Sequence, residues 1–261
     1  MTIGLILNAF AFAAASGNVA LHYPKITENR ASLRPRREQA IMVLALLLVG
    51  AGFFFHPGIV GSALGILAII PASLFLLGST TSSLDFQWPT VAIGDVAPDF
   101  TAPDSAGRLV RLSSLRGSPV LLKFYRGVWC PYCVGELRQL DRYAQDFAAI
   151  GVKLVAVSSD RIDEIKAFER KNAWAITLLA DPELIAHRLY NVQQRNFAPK
   201  RGPFRELAVP TTLLLDQEGR VLWFEQSSDF RVRPQADALL GKARVLLGTD
   251  EASAACEVCA A

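Results

Sequence analysis

The stretch Phe124-Tyr125-Arg126-Gly127-Val128-Trp129-Cys130-Pro131-Tyr132-Cys133 decides how the rest of the chain is read. An apolar run, 119–125, leads into it, and a helix-like pattern, 131–150, leaves it. Cys130 therefore stands where a buried strand ends and a helix begins. A sulfur at that point meets backbone N–H groups with no intrahelical acceptor and the positive end of the helix dipole, both of which favour thiolate. Ordinary cysteine, with a pKa of about 8.5, is mostly protonated at neutral pH. At a helix N-terminus the value can fall by about two units, which leaves most of the sulfur nucleophilic. Cys133 lies one turn inward and can resolve a mixed disulfide at Cys130 with little backbone movement. Pro131 suits the first helical turn, where no N–H is needed. Cys130 is thus expected to be an accessible, ionised attacker. Trp129 and Tyr132 would wall it with aromatic surface, and Arg126 is a candidate cation for lowering its pKa.

Outward from this motif the pattern alternates strand and helix. Strands are expected at 109–112, 119–125, 152–158, 176–180, 211–215 and 221–224, the last two flanking an Asp216-Gln217-Glu218-Gly219 turn. Helices are expected at 131–150, at 161–171 with Asp160 as its cap, at 182–190 with Pro182 near its start, and at 233–247. Such alternation implies an α/β sheet covered on both faces, in one domain over 93–248.

The first 84 residues have a different character. No Asp, Glu, Lys or Arg occurs in 1–24, nor in 39–84. The second stretch is too long for one membrane span of about 20 residues and suits two. His56-Pro57-Gly58 divides it into a hairpin of spans, 40–55 and 59–77, the second carrying Pro71 as an expected kink. The segment 3–21 is a candidate first span, weakened by Asn8, Ser16, Gly17 and Asn18; a buried or interfacial helix is its alternative. Lys25, Arg30, Arg34, Arg36 and Arg37 lie between. The positive-inside rule sets that linker in the cytoplasm, and two crossings later the soluble domain would share its side of an inner or plasma membrane.

The 261 residues are 51% hydrophobic and 20% charged, averages that mix these two parts. A net charge of +3, with no basic stripe interleaved with aromatics, argues against a nucleic-acid partner. Four cysteines in two Cys-x-x-Cys pairs are too few for a disulfide-stapled scaffold and point to catalysis or metal binding. The three histidines, His22, His56 and His187, are scattered and form no ligand cluster. No nicotinamide, flavin or phosphate-loop fingerprint occurs, so no cofactor is expected and electrons must come from an external thiol donor.

Cys130-Pro131-Tyr132-Cys133 preceded by Trp129 resembles the thioredoxin superfamily. The wider phrase from Phe124 resembles its peroxiredoxin-like branch, the alkyl hydroperoxide reductase/thiol-specific antioxidant or redoxin group. Gly94-Asp95-Val96-Ala97-Pro98-Asp99-Phe100 is similar to that group's opening, and Asp181-Pro182-Glu183 with 186–192 to its middle. Val209-Pro210-Thr211-Thr212 resembles the superfamily's cis-proline segment. The resemblance implies a thioredoxin-like fold behind an N-terminal transmembrane helical region. It implies that Val209, Pro210 and Thr211 shape a substrate groove with Trp129, Pro131 and Tyr132, and that Pro210 packs beside Cys130. Substrates would be protein disulfides or dithiols, or peroxides.

Two positions depart from the family pattern. Residues 125–129 lack the proline and the Thr or Ser of a peroxidatic motif, and Pro210 occupies the place of its late arginine. The strand into the motif carries Lys123-Phe124 instead of an acid; Glu136 on the following helix is read either as a weak substitute for that proton acceptor or, in preference, as a solvated helix glutamate. Cys256 and Cys259, in a small-residue tail at 249–261, could relay electrons to Cys130 and Cys133, complete a zinc site with them, or take no part in catalysis. The rival to an enzyme is a non-catalytic membrane-tethered binding or zinc-holding module.

Overall fold

The computed structural model of the chain describes residues 2–32, 34–84, 88–171, 173–194 and 207–249. They form two compact units, Met1–Ser83 and Leu84–Ala261.

The first unit contains α1 (Ile3–Thr27), α2 (Arg36–Phe54) and α3 (Gly58–Thr80), each long and apolar enough to cross a membrane. α1 runs beyond the expected 3–21, and α3 continues through Pro71 as one helix. Its inward residues on α1 are Gly4, Asn8, Ala11, Ala15, Asn18 and His22, spaced alternately by four and three. That spacing holds one stripe against neighbouring helices. Facing it are small residues such as Ala45 and Gly52 of α2 and Gly61, Gly65 and Ala68 of α3. Large apolar side chains, Leu21, Phe54 and Ile59 among them, point outward. Asn8 Nδ2 donates to Gly61 O at 2.9 Å. A Cβ on Gly65 would meet Asn8 Nδ2 at 2.8 Å, so glycine makes room for that amide.

The second unit is built on a five-stranded sheet in the order β5-β4-β3-β6-β7. β3 (Val120–Tyr125), β4 (Lys153–Ser158) and β5 (Thr177–Ala180) run parallel, while β6 (Thr211–Leu215) and β7 (Val221–Gln226) complete it antiparallel. β3 is central and buried along its whole length, as its near-continuous apolar sequence requires. β1 (Thr101–Pro103) and β2 (Leu109–Arg111) form a separate two-stranded ribbon, and β1 has no counterpart in the sequence reading. Two apolar cores cover the two faces. One holds both cysteines, Leu137, Leu140, Phe147, Ile165, Leu239 and Leu240. The other holds Phe124, Leu122, Val157, Tyr190 and Leu213.

Several helices differ from expectation. The predicted 131–150 helix is two, α4 (Pro131–Arg142) and α5 (Ala144–Ala149), separated at Tyr143. α6 (Ile162–Glu169) is capped without Asp160: the N–H of Arg161 donates to Glu164 Oε2 at 2.7 Å. Asp160 is turned inward instead. α7 shortens to Ile185–Leu189 because Leu184 before it takes a left-handed backbone conformation. α8 spans Ala236–Leu246, which leaves Arg233 in the loop ahead of it.

Candidate active site

Cys130 is the residue before the first turn of α4, with Pro131 at the helix start, as the motif implied. Cys133 follows on the inward face with Glu136, Leu137 and Leu140. The exposure does not follow expectation. Cys130 is only 2% exposed and Cys133 is sealed. Their thiols are hydrogen-bonded to each other, which first of all, and burial second, pushes Cys130 well above the ordinary thiol range. Burial would push Cys133 up too. It is outweighed by the hydrogen bond with Cys130, the Arg233 charge and the Arg126 backbone N–H, which hold Cys133 well below that range. The accessible, ionised sulfur expected at Cys130 is therefore corrected on both counts: it is closed, and the anion is favoured one turn further in.

The second count has its reason in a side chain that sequence reading missed. The loop between β7 and α8 folds back to the start of α4. Within it Asp229 and Arg231 form an ion pair at 2.8 Å, and Phe230 meets the Tyr132 ring edge-on at 6.0 Å between centroids. The same loop delivers Arg233, whose Nη2 lies 3.4 Å from Cys133 Sγ and whose Nε lies 3.2 Å from Glu136 Oε2. Glu136 Oε1 is 2.5 Å from Lys123 Nζ, which also donates to Thr212 Oγ1 at 2.9 Å. Lys123 and Thr212 are register partners across β3 and β6. Burial pushes Glu136 up and Lys123 down, each toward its neutral form, and their mutual attraction opposes both shifts. Glu136 is thus buried and paired, not solvated. Its spacing of three from Cys133 and four to Leu140 on the inward face was the available signal. Arg233 offered none, because its role depends on a loop path.

The segment before Cys130 is pinned from β4. Asp160 Oδ2 accepts from Val128 N–H and from Ser158 Oγ, both at 2.8 Å. Burial raises Asp160 to about 6 against these hydrogen bonds. Gly127 has φ +151, and a Cβ there would meet Trp129 Nε1 at 2.4 Å and Asp160 Oδ1 at 2.7 Å, so only glycine fits. Trp129 remains 58% exposed beside the closed sulfur. The Arg126 guanidinium lies 4.5 Å from the Phe230 ring centroid and 5.7 Å from that of Trp129. Burial lowers the Arg126 pKa, opposed by attraction to Cys130 and then Cys133, so this cation does face the sulfurs.

Val209, Pro210 and Thr211 enter β6 at the sheet end where β3 leaves for the motif, since Phe124 pairs with Thr211. They share that end with Cys130. Among the described residues no peptide bond is cis, so the implied cis Val209–Pro210 bond is corrected to trans. The Val209 N–H donates to Val192 O at 2.7 Å and its carbonyl accepts from Thr211 Oγ1 at 2.9 Å. Its backbone is therefore occupied by the protein itself. Cys256 and Cys259 lie outside the described residues. Among the described residues no group of three or more His, Cys, Asp or Glu is arranged to hold a metal.

The AhpC/TSA family model matches residues 93–224, half of the chain and most of the sheet unit. The chain belongs to the AhpC/TSA family. Relatives of this AhpC/TSA protein carry two kinds of name. It is 30% identical over 156 residues to the thiol-disulfide oxidoreductase ResA of Geobacillus kaustophilus, covering 59% of this chain and 81% of that one. It is 28% identical over 155 residues to the chloroplastic peroxiredoxin Q of Triticum aestivum, covering 58% and 68% respectively. Among solved structures, peroxidoxin BcpB from Mycobacterium tuberculosis superposes with a TM-score of 0.51 at 26% identity, covering 61% of this chain and 97% of that one. The sheet unit has the thioredoxin-like fold of these peroxiredoxins, and the protein is a thiol-dependent oxidoreductase.

Proposed function

We propose that this is a membrane-anchored thiol–disulfide exchanger in which Cys130 attacks the substrate disulfide and Cys133 resolves the mixed disulfide. The observation that carries this reading is the placement of two free cysteines at the mouth of α4, the first at its cap and the second one turn in on its buried face. It favours rapid closure onto each other over release of either sulfur to solvent. Trp129, Pro131 and Tyr132 form one wall of the substrate groove; Val209, Pro210 and Thr211, buried in the closed structure, become the other wall only when the segment over Cys130 opens. Because Cys130 is closed, turnover includes a local opening around it. Arg126 helps to attract the incoming anion or stabilise a departing thiolate. Electrons come from an external thiol donor.

Peroxide reduction is the second reading, favoured by the peroxiredoxin relatives. Against it, residues 125–129 offer no Ser or Thr to polarise a peroxide. The two separate in the full chain in detergent, carrying Cys133→Ser with Cys256 and Cys259 replaced by Ser. Mixed disulfides trapped at Cys130 with a disulfide-bonded peptide support exchange; sulfenic acid forming faster at Cys130 under hydrogen peroxide supports the peroxidase. Cys130→Ser should lower turnover by about a thousandfold or more. Unchanged turnover in that variant would return the protein to the non-catalytic, binding or zinc-holding class.

The anchor is α1, α2 and α3. Contacts of Lys25 with Glu38 at 2.6 Å and of Gln39 with Ser79 at 2.9 Å bring the end of α3 to the same end of the helical unit as the basic linker. Positive-inside orientation then gives a cytoplasmic redox domain. Labelling of cysteines in intact cells with a membrane-impermeant reagent tests this, and strong labelling would reverse the topology.

A further inference from the structure

Lys123, Glu136 and Arg233 are each at most 4% exposed, directly beneath the dithiol. The Lys123 Nζ–Glu136 Oε1 contact of 2.5 Å keeps a proton within that pair, which then contributes no net charge either as an ion pair or as two neutral groups. Arg233 is different, because a guanidinium does not deprotonate in a protein. It is a buried cation whose Nε lies against Glu136, whose Nη1 donates to the Asp229 and Val232 carbonyls and whose Nη2 lies on Cys133 Sγ. The other charged groups around the site are Arg126, from the loop after β3, Asp160, just past β4, and the mutually neutralising Asp229–Arg231 ion pair on the loop that carries Arg233. Arg126 adds positive charge. Asp160 turns its Oδ2 to Val128 N–H and Ser158 Oγ. The group against Arg233 Nη2 is the Cys133 sulfur, and negative charge there offsets the cost of burying the cation.

We propose that Arg233 is a positioning residue that makes the inner sulfur, Cys133, the resting thiolate of the reduced protein and thereby stabilises the dithiol against the disulfide. This rests on the reading of Cys130 and Cys133 as the redox pair. Cys130 then keeps its proton and donates it in a hydrogen bond to the Cys133 thiolate. On meeting a substrate R–S–S–R′, that proton passes to Cys133 as the Cys130 sulfur bonds to the R sulfur and the substrate S–S bond breaks. R′–S⁻ leaves and takes the proton from Cys133. The Cys133 thiolate attacks Cys130, the mixed disulfide breaks, and R–S⁻ departs. The protein has lost two electrons and the substrate has become one thiol and one thiolate. Once the protein disulfide has formed, Arg233 faces a neutral sulfur pair, so the reduced state holds the advantage and the pair becomes a stronger oxidant than it would be without Arg233.

The test uses the full chain in detergent, with Cys256 and Cys259 replaced by Ser and the remaining cysteines labelled at ¹³Cβ. In the otherwise wild-type protein Cys133 should titrate below neutrality while Cys130 stays protonated. Arg233→Gln should raise the Cys133 midpoint by at least about two pH units. It should also shift the equilibrium with glutathione at least about tenfold toward the protein disulfide, about 30 mV for a two-electron couple. Arg233→Lys, which keeps the charge, should recover most of both shifts. Ionisation of Cys130 before Cys133 in the unsubstituted Arg233 protein overturns the proposal, and so does an Arg233→Gln protein with unchanged midpoint and equilibrium. Should Arg233→Gln fail to fold, the titration with Arg233 intact and the Arg233→Lys comparison still decide it. Failure of the redox reading itself looks different: no exchange with glutathione in any variant, whatever the thiol midpoints.

Discussion

Asn8 and Lys123 are both polar side chains sealed inside their units, and different physics makes each tolerable. Asn8 sits in the helical unit, where small residues form the interior and Leu, Ile and Phe face outward. If these helices stand in lipid, as their length and composition allow, there is no hydrophobic gain in bringing them together, and close approach at Gly52, Gly61 and Gly65 with an interhelical hydrogen bond supplies the association. Lys123 sits in the sheet unit, under two cores of large apolar residues. Their burial is the favourable contribution that can offset the desolvation of Lys123, Glu136 and Arg233. The amide serves as glue; the charges set the state of a sulfur.

That contrast can be broken from either side. The largest effect is expected for Glu136→Ala, which leaves both Lys123 and Arg233 without their shared carboxylate and should cost about 3–5 kcal/mol. Thermal unfolding of the full chain in detergent, followed by tryptophan fluorescence, measures it. A loss under 1 kcal/mol would mean that the charges are solvated. Next is Asp160. Its folded pKa, about 6, lies above the ordinary 3.8, so between these values the folded chain holds a proton that the unfolded chain has released. Stability from this group is present below about pH 4 and lost as pH rises through 6, by about 3 kcal/mol in all. Asp160→Asn should therefore gain stability relative to wild type as pH goes from 4.5 to 8, read from the difference in unfolding midpoints. A constant difference across that range would show that Asp160 titrates alike in both states.

Smaller effects belong to the helical unit. Gly65→Leu places a side chain against the Asn8 amide and the Phe53 ring, and should destabilise helix packing by about 1–3 kcal/mol. Phe54→Leu, on the outward face, should leave it unchanged; equal losses from both would show that the two faces are not distinct. Asn8→Ala should cost least, about 0.6 kcal/mol, the usual worth of one such hydrogen bond between membrane helices. Protease sensitivity of the helical unit in detergent reads these differences.

Much of the sheet unit was legible because its signals are local. The buried run 120–125, the Cys-x-x-Cys after it and the Asp216–Gly219 turn each announce themselves over a few residues, and strands and helices follow in the expected order. What escaped notice was non-local. Glu136 looked like a solvated helix acid, yet its spacing from Cys133 and Leu140 sets it on the inward face of α4. Asp160 looked like a helix cap, but Val128 and Ser158 compete for its carboxylate and win. The charge placed against Cys133 likewise depends on a loop 100 residues away returning to α4.

By itself the amino-acid order determined that two sulfurs would meet at a strand-to-helix junction behind a set of apolar helices, since hydrophobic period, chain punctuation and motif spacing are written along the backbone. Which sulfur carries the charge was decided only in three dimensions. The energy of a thiolate depends on what lies within a few ångströms of it, and Lys123, Glu136 and Arg233 come that near only because β3 pairs with β6 and the loop after β7 folds back to the start of α4.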